Sequence, residues 1–289
     1  MRVLVTGAEG QVGSEIVAEL ERRAAARLRG PSLDVVGASR AELDVSDRDA
    51  VLALLAAVEP DLVIHTAAFT AVDACETDPD RAFAVNALGT RHVAEGSRSA
   101  GAHLCYLSTD YVFDGTKDGP YDEWDSPRPM SVYGRSKYGG ELETDPGATV
   151  VRTSWVSGTS GKNMVKTVLR LGAGDGPLRF VDDQKGSPTV ASDLARAVVE
   201  LSLTRRPGLF HVTNQGEATW YSLACHVLES AGLDPARVEP VATKDLLPAR
   251  PAPRPANSVL DNAALRLSGL PMLPEWRDSV ARLVATLDH

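Results

Sequence analysis

Three glycines, Gly7, Gly10 and Gly13, separate the strand-like run Arg2-Val3-Leu4-Val5-Thr6 from a stretch in which Ile16, Val17 and Leu20 share one helix face. This strand, glycine loop and helix restrict the fold more than any other feature. The first glycine permits a tight turn, the second lets backbone approach a pyrophosphate, and the third lets the helix pack close to the strand. Gln11 and Val12 lie at the helix start, where free backbone N–H groups face an anion.

The pattern then repeats. Strand-like runs fall at 34–38, 61–65 and 103–108, separated by helix-like stretches at 48–58 and about 80–100. Strands alternating with helices at this spacing predict a parallel, doubly wound Rossmann sheet of the α/β class. The second half is less regular, with strand candidates at 149–153 and 208–213 and helices near 163–171, 191–202 and 221–231. Its Gly/Pro-rich stretches at 172–177 and 248–255 read as ordered loops. The expected division is a cofactor-binding Rossmann domain over 1–153. A smaller C-terminal α/β substrate-binding lobe follows over 154–289, with segments at about 189–206 returning to the first domain.

The end of the second strand bears on the cofactor. A carboxylate there would bind ribose hydroxyls and repel a 2′-phosphate. This chain has Ser39-Arg40, a hydroxyl beside a guanidinium able to grip phosphate, so NADPH is favoured and NADH remains open. Asp44, with Val45, is expected near the adenine. Ala67, Ala68 and Thr70 follow the third strand, where small residues let backbone pass close to the cofactor.

Tyr133 and Lys137 are four apart, on one face if the segment is helical. Upstream, Ser108 and Thr109 end a strand at the edge where ligands bind in parallel sheets. A hydride delivered to a carbonyl carbon creates an alkoxide that needs a proton. Free tyrosine has a pKa of about 10. An ammonium from Lys137 would favour the tyrosinate, lower the Tyr133 pKa and hold the nicotinamide ribose. Thr109 or Ser108 would orient the carbonyl.

Composition excludes several classes. A net charge of -9 argues against non-specific nucleic-acid binding. No apolar run approaches the roughly 20 residues of a membrane span, and no signal peptide fits the opening residues, so a cytoplasmic protein is expected. Cys75, Cys105 and Cys225 are widely spaced and make neither a disulfide framework nor a zinc cluster. The histidines show no metal-ligand pattern, and His65 is expected in a core or backbone-bonded role.

At these residues the chain resembles the dTDP-4-dehydrorhamnose reductase family of extended short-chain dehydrogenases/reductases, whose GxxGxxG spacing it shares. The resemblance spans nearly the whole chain, through Ala67-Ala68-Phe69-Thr70, Ser108-Thr109-Asp110-Tyr111-Val112-Phe113, Tyr133-Gly134-Arg135-Ser136-Lys137, Arg152-Thr153-Ser154-Trp155 and Arg254-Pro255-Ala256-Asn257. It implies Thr109, Tyr133 and Lys137 as the catalytic set. Asp110 and Trp155 would line the sugar pocket, and Arg254 would approach the diphosphate. It further implies NADPH-dependent reduction of the 4-keto group of a nucleotide-linked deoxysugar, dTDP-4-dehydro-L-rhamnose in the first instance. Where the family commonly carries aromatics this chain has Ser157 and Met164, which keeps another deoxysugar open as substrate. A non-catalytic NADP-binding regulatory subunit is the reading from a different class. Glu15 matches one magnesium-binding position of some members, but Ser192 replaces a second acid. No metal-bridged dimer is expected, only a monomer or weak homodimer.

Overall fold

The computed structural model describes residues 1–26, 32–246 and 248–287. Val3 to Thr6 of β1 (Arg2–Thr6) are all buried, with Val3 and Val5 in the core on one face and Leu4 in the core on the other. This is the period-two pattern of a strand covered on both faces. Beside it run β2 (Asp34–Ala38), β3 (Leu62–His65), β4 (His103–Thr109) and β5 (Thr149–Thr153). A sixth strand, β6 (Gly208–His211), completes one sheet in the order β6-β5-β4-β3-β1-β2, with every pair parallel. The change of direction from β1 falls beside β3, which opens a crevice at the C-terminal strand ends.

Two helical layers cover the sheet. On one face Ile16 and Leu20 of α1 (Gln11–Ala25) meet Val3, Val5, Ile64, Cys105 and Leu107. On the other, Val51 and Leu55 of α2 (Arg48–Val58) meet Leu4, Val63 and Val93. Asp47 caps α2 by accepting from the Ala50 N–H at 3.1 Å, and Glu59 stops it in a left-handed turn at φ 45°.

The helix expected over about 80–100 is broken. A short helix, Pro79–Phe83, passes into a π-helical turn at Ala84–Leu88 before α3 (Gly89–Ala100) begins. The cause is Asn86. Its side chain accepts from the Phe69 N–H at 2.7 Å and donates to Ser136 Oγ at 2.9 Å, which a regular helical register would not allow. The turn thereby locks the loop after β3 to α4 (Val132–Leu142), the helix that carries Tyr133 and Lys137.

The rest of the chain forms α5 (Met164–Gly172), α6 (Ala191–Leu203), α7 (Trp220–Ser230) and α8 (Trp276–Thr286). Val165, Val168 and Leu169 of α5, Leu223 and Val227 of α7 and Trp276 of α8 share a second core. Leu194 and Val198 of α6 lie instead in the sheet core, against α1. So does Phe210 of β6, which means that more than 189–206 of the C-terminal half joins the sheet. No helix among the described residues is long and apolar enough to cross a membrane.

Candidate active site

At the end of β1 the backbone turns at Gly7, whose φ is +70°, within 3 Å of the Ala67 backbone should a Cβ be added. A Cβ on Gly13 would stand 2.1 Å from the Gly7 carbonyl oxygen. Glycine at both positions is therefore a packing requirement. The helix that follows starts at Gly10 with no side-chain cap and no acid in its first turn, so its N–H groups stay available to an anion.

A cavity of about 850 Å³ opens along this loop and runs across the C-terminal strand ends. Gly7, Gly10, Gln11, Val12 and Gly13 form one end of its wall, with Arg40, Asp44 and Val45 near them. Ala67, Ala68 and Thr70 line its middle, while Thr109, Asp110, Tyr133, Lys137 and Trp155 line the far part. Segments more than a hundred residues apart thus share one volume.

Two expected cofactor contacts differ. Ser39 is buried outside the cavity wall, and its N–H, at 2.8 Å, and its hydroxyl both bond the Glu42 carboxylate, so the hydroxyl is not offered beside Arg40. In its place Arg81, packed 4.7 Å over the Phe69 ring, lines the cavity and with Arg40 holds Asp44 below the usual carboxylate range, after the stronger effect of the Ser46 hydrogen bonds. Arg254 also departs from expectation. It makes a two-pronged pair with Asp73, both contacts at 2.7 Å, and lies outside the cavity wall. The guanidinium that would meet a diphosphate is held by a carboxylate.

Around Tyr133 the site is closed and polar. Thr109 Oγ1 donates to Asp110 at 3.0 Å and accepts from the Tyr111 N–H at 3.2 Å. Ser154 Oγ donates to the other Asp110 oxygen at 3.0 Å. Burial nonetheless pushes Asp110 up to about 6, against the lowering effect of Ser258, Ser154 and Thr109. Tyr133 is raised above the usual tyrosine range by burial, opposed by its hydrogen bond to Thr109. Lys137 is lowered to about 7 by burial, with Glu141 working the other way. Its ammonium donates to the Leu107 carbonyl at 2.6 Å and lies 4.2 Å over the Tyr106 ring. Lys137 therefore does not bring Tyr133 below the usual tyrosine range as expected, because desolvation outweighs its charge in the free protein.

His65 is wholly buried, but between hydroxyls rather than backbone: Thr6 at 2.7 Å and Thr90 at 3.3 Å. Burial, with Lys137 nearby, takes it down to about 3, so it stays neutral. Neither Ser157 nor Met164 reaches the cavity wall. Ser157 is buried in a short pairing with Val190, and Met164 packs on the lobe core.

Three wall residues had no signal in the sequence. Trp220 lies flat on Trp155, with ring centroids 3.4 Å apart and planes within 5° of parallel. Lys162 and Arg81 also line the cavity. Lys162 precedes the helix-capping Asn163, so its surroundings in the sequence announced only a helix start. Among the described residues no group of three or more His, Cys, Asp or Glu is placed to hold a metal.

A glycine cradle and a partly buried tyrosine opening into one cavity of a parallel sheet are the arrangement of an extended short-chain oxidoreductase. The family model for the RmlD substrate binding domain matches residues 1–289. The dTDP-4-dehydrorhamnose reductase of Streptomyces griseus is 42% identical over 285 residues, covering 96% of this chain and 90% of that protein. A protein of Streptomyces antibioticus, named as a probable dTDP-4,6-dihydroxy-2-methyloxan-3-one 4-ketoreductase, is 42% identical over 287 residues, covering 97% and 93%. Among solved structures, the dTDP-4-dehydrorhamnose reductase of Bacillus anthracis in complex with NADP superposes with a TM-score of 0.92 at 36% identity, covering 99% of each chain. This chain belongs to the dTDP-4-dehydrorhamnose reductase family.

Proposed function

We propose that the chain reduces the 4-keto group of dTDP-4-dehydro-L-rhamnose to dTDP-L-rhamnose with NADPH, residues 1–153 chiefly holding the cofactor and most of 154–289 the sugar nucleotide. The observation that carries this reading is the shared cavity, in which the glycine loop, Arg40, Thr109 and Tyr133 meet. The cradle fits a dinucleotide: glycines stand where a Cβ would strike backbone, and the N–H groups of α1 are uncapped. The bound nicotinamide supplies the hydride.

The chain's own residues do the rest. Gly7, Gly10, Gln11, Val12 and Gly13 bind the diphosphate, and Arg40 the 2′-phosphate. Asp44, Val45, Ala67, Ala68 and Thr70 shape the channel between them. Thr109 orients the sugar carbonyl. Tyr133, held protonated by burial, passes its hydroxyl proton to the oxygen that becomes an alcohol. The proton goes from Tyr133 Oη to the substrate oxygen, and the tyrosinate left behind is stabilised by the positive charge of Lys137. Asp110 holds Thr109 in place, and Trp155 offers a flat apolar wall to the deoxysugar.

A related 4-ketoreduction on another deoxysugar is the second reading, favoured by the equal identity to the Streptomyces antibioticus protein. The intact Tyr133, Lys137 and Thr109 weigh against a non-catalytic regulatory subunit. We expect a cytoplasmic protein, and a monomer or weak homodimer rather than a metal-bridged one, since Ser192 stands where a second acid would be needed beside Glu15. Purified protein should oxidise NADPH in the presence of dTDP-4-dehydro-L-rhamnose and yield dTDP-L-rhamnose. No turnover on it, with turnover on another 4-keto deoxysugar, would transfer the assignment to the second reading.

A further inference from the structure

Residues 156–163 leave the sheet after β5 and cross the start of α1 before α5 begins. The crossing is tied to α1 at two points and braced by one bond of its own. Gln11 Nε2 donates to the Val156 carbonyl at 2.8 Å, Thr159 Oγ1 donates to Glu15 at 2.9 Å, and Asn163 Nδ2 donates back to the Gly158 carbonyl at 2.8 Å. Gly161 turns the strap at φ +69°, where an added Cβ would find only the Gln11 Cβ within 4 Å, at 3.8 Å. The next residue is Lys162, which lines the cavity.

Among the described residues Lys162 makes no hydrogen bond or ion pair. Of the other lining cations, Lys137 is held by the Leu107 carbonyl and Arg81 lies over the Phe69 ring, while Arg40 stands at the adenosine end assigned above to the 2′-phosphate. Below the strap, α1 begins at an uncapped Gly10 with no acid in its first turn. Gln11 Oε1 is buried there without a donor. An unpaired ammonium and an uncapped helix start therefore line the same cavity, where an anion would satisfy both.

We propose that Lys162 is a binding residue for the dinucleotide's diphosphate, supplied across the cleft by the strap over α1. The diphosphate is then held from two sides, by N–H groups of the sheet domain and by an ammonium of the second lobe. Cofactor binding in this way fastens the lobes together before the sugar nucleotide arrives. The inference rests on the NADPH reading given above.

The test is a fluorescence titration of NADPH into wild-type protein, Lys162→Met and Lys162→Arg without sugar nucleotide, with adenosine 2′-monophosphate and dTDP titrated in parallel. Lys162→Met is expected to weaken NADPH about tenfold, the scale of one charge-assisted phosphate contact, while Lys162→Arg keeps most of the affinity. Adenosine 2′-monophosphate, which has no diphosphate, and dTDP should bind all three proteins alike. Unchanged NADPH affinity in Lys162→Met would overturn the inference and leave the reductase reading standing. A loss confined to dTDP would also overturn it, moving Lys162 to the substrate's diphosphate. Wild-type protein that bound no NADPH would instead sink the reductase reading itself.

Discussion

Lys137 donates its ammonium to the Leu107 carbonyl at 2.6 Å, so the helix bearing the proton-donor tyrosine is pinned to the strand end that bears Thr109. The same burial that makes this bond strong lowers Lys137 to about 7. In the free protein the ammonium is present below that pH and is lost above it. The value of kcat/KM for reduction should therefore fall as pH rises past about 7, approaching tenfold per unit. Lys137→Met should be slow throughout and lack this limb. A flat profile from pH 6 to 9 in the wild type would remove Lys137 from the charge balance of the step.

Tyr133→Phe tests the proton donor. Burial holds the hydroxyl protonated, the form that reduction needs. The variant should bind NADPH normally and lose about 10²–10⁴-fold in turnover, the usual contribution of a general acid. Unchanged turnover would remove the mechanism.

Arg40 stands at the cavity without a carboxylate bonded to it, whereas Ser39 is turned away. Arg40→Ala should weaken NADPH about tenfold and NADH much less, as expected from losing one guanidinium–phosphate contact. Titrations of the two cofactors decide it, equal losses counting against the phosphate role.

Asp110 supplies a test in stability. Its folded value of about 6 lies above the ordinary 3.8, so the folded state binds the extra proton between those values. Its contribution is fully present below about 4 and is lost as pH rises through about 6. Urea unfolding of Asp110→Asn should accordingly lack the loss of stability that this carboxylate causes over that window. Parallel pH curves for wild type and variant would contradict the assignment.

The pair between Asp73 and Arg254 joins the short helix Val72–Thr77 to the C-terminal segment, with Arg254 only 9% exposed in its side chain. Asp73→Asn leaves the guanidinium half-matched. Because Asp73 is itself 43% exposed, water moderates the loss, and about 1 kcal/mol is expected. A lowered Tm with NADPH affinity preserved would fit; an unchanged Tm would not.

The sheet strands and α1 were legible because each carries its own periodicity and its glycines answer a local steric demand. The Tyr133–Lys137 spacing was legible for the same reason, since four residues make one helical turn. The break at Ala84–Leu88 was not legible: it follows from Asn86 bonding Phe69 and Ser136, partners 17 and 50 residues away. Nor was the fate of Arg254, whose partner Asp73 is 181 residues distant.

By itself, then, the sequence determined a parallel α/β sheet, a dinucleotide cradle and a tyrosine–lysine pair, because these depend on residues close along the chain. Only the tertiary structure decided that β6 closes the sheet edge and that Trp220 backs Trp155. It also decided that the strap before Lys162 crosses α1 and that burial outweighs the Lys137 charge at Tyr133. Those outcomes depend on which distant surfaces exclude water from one another, and no local pattern encodes that.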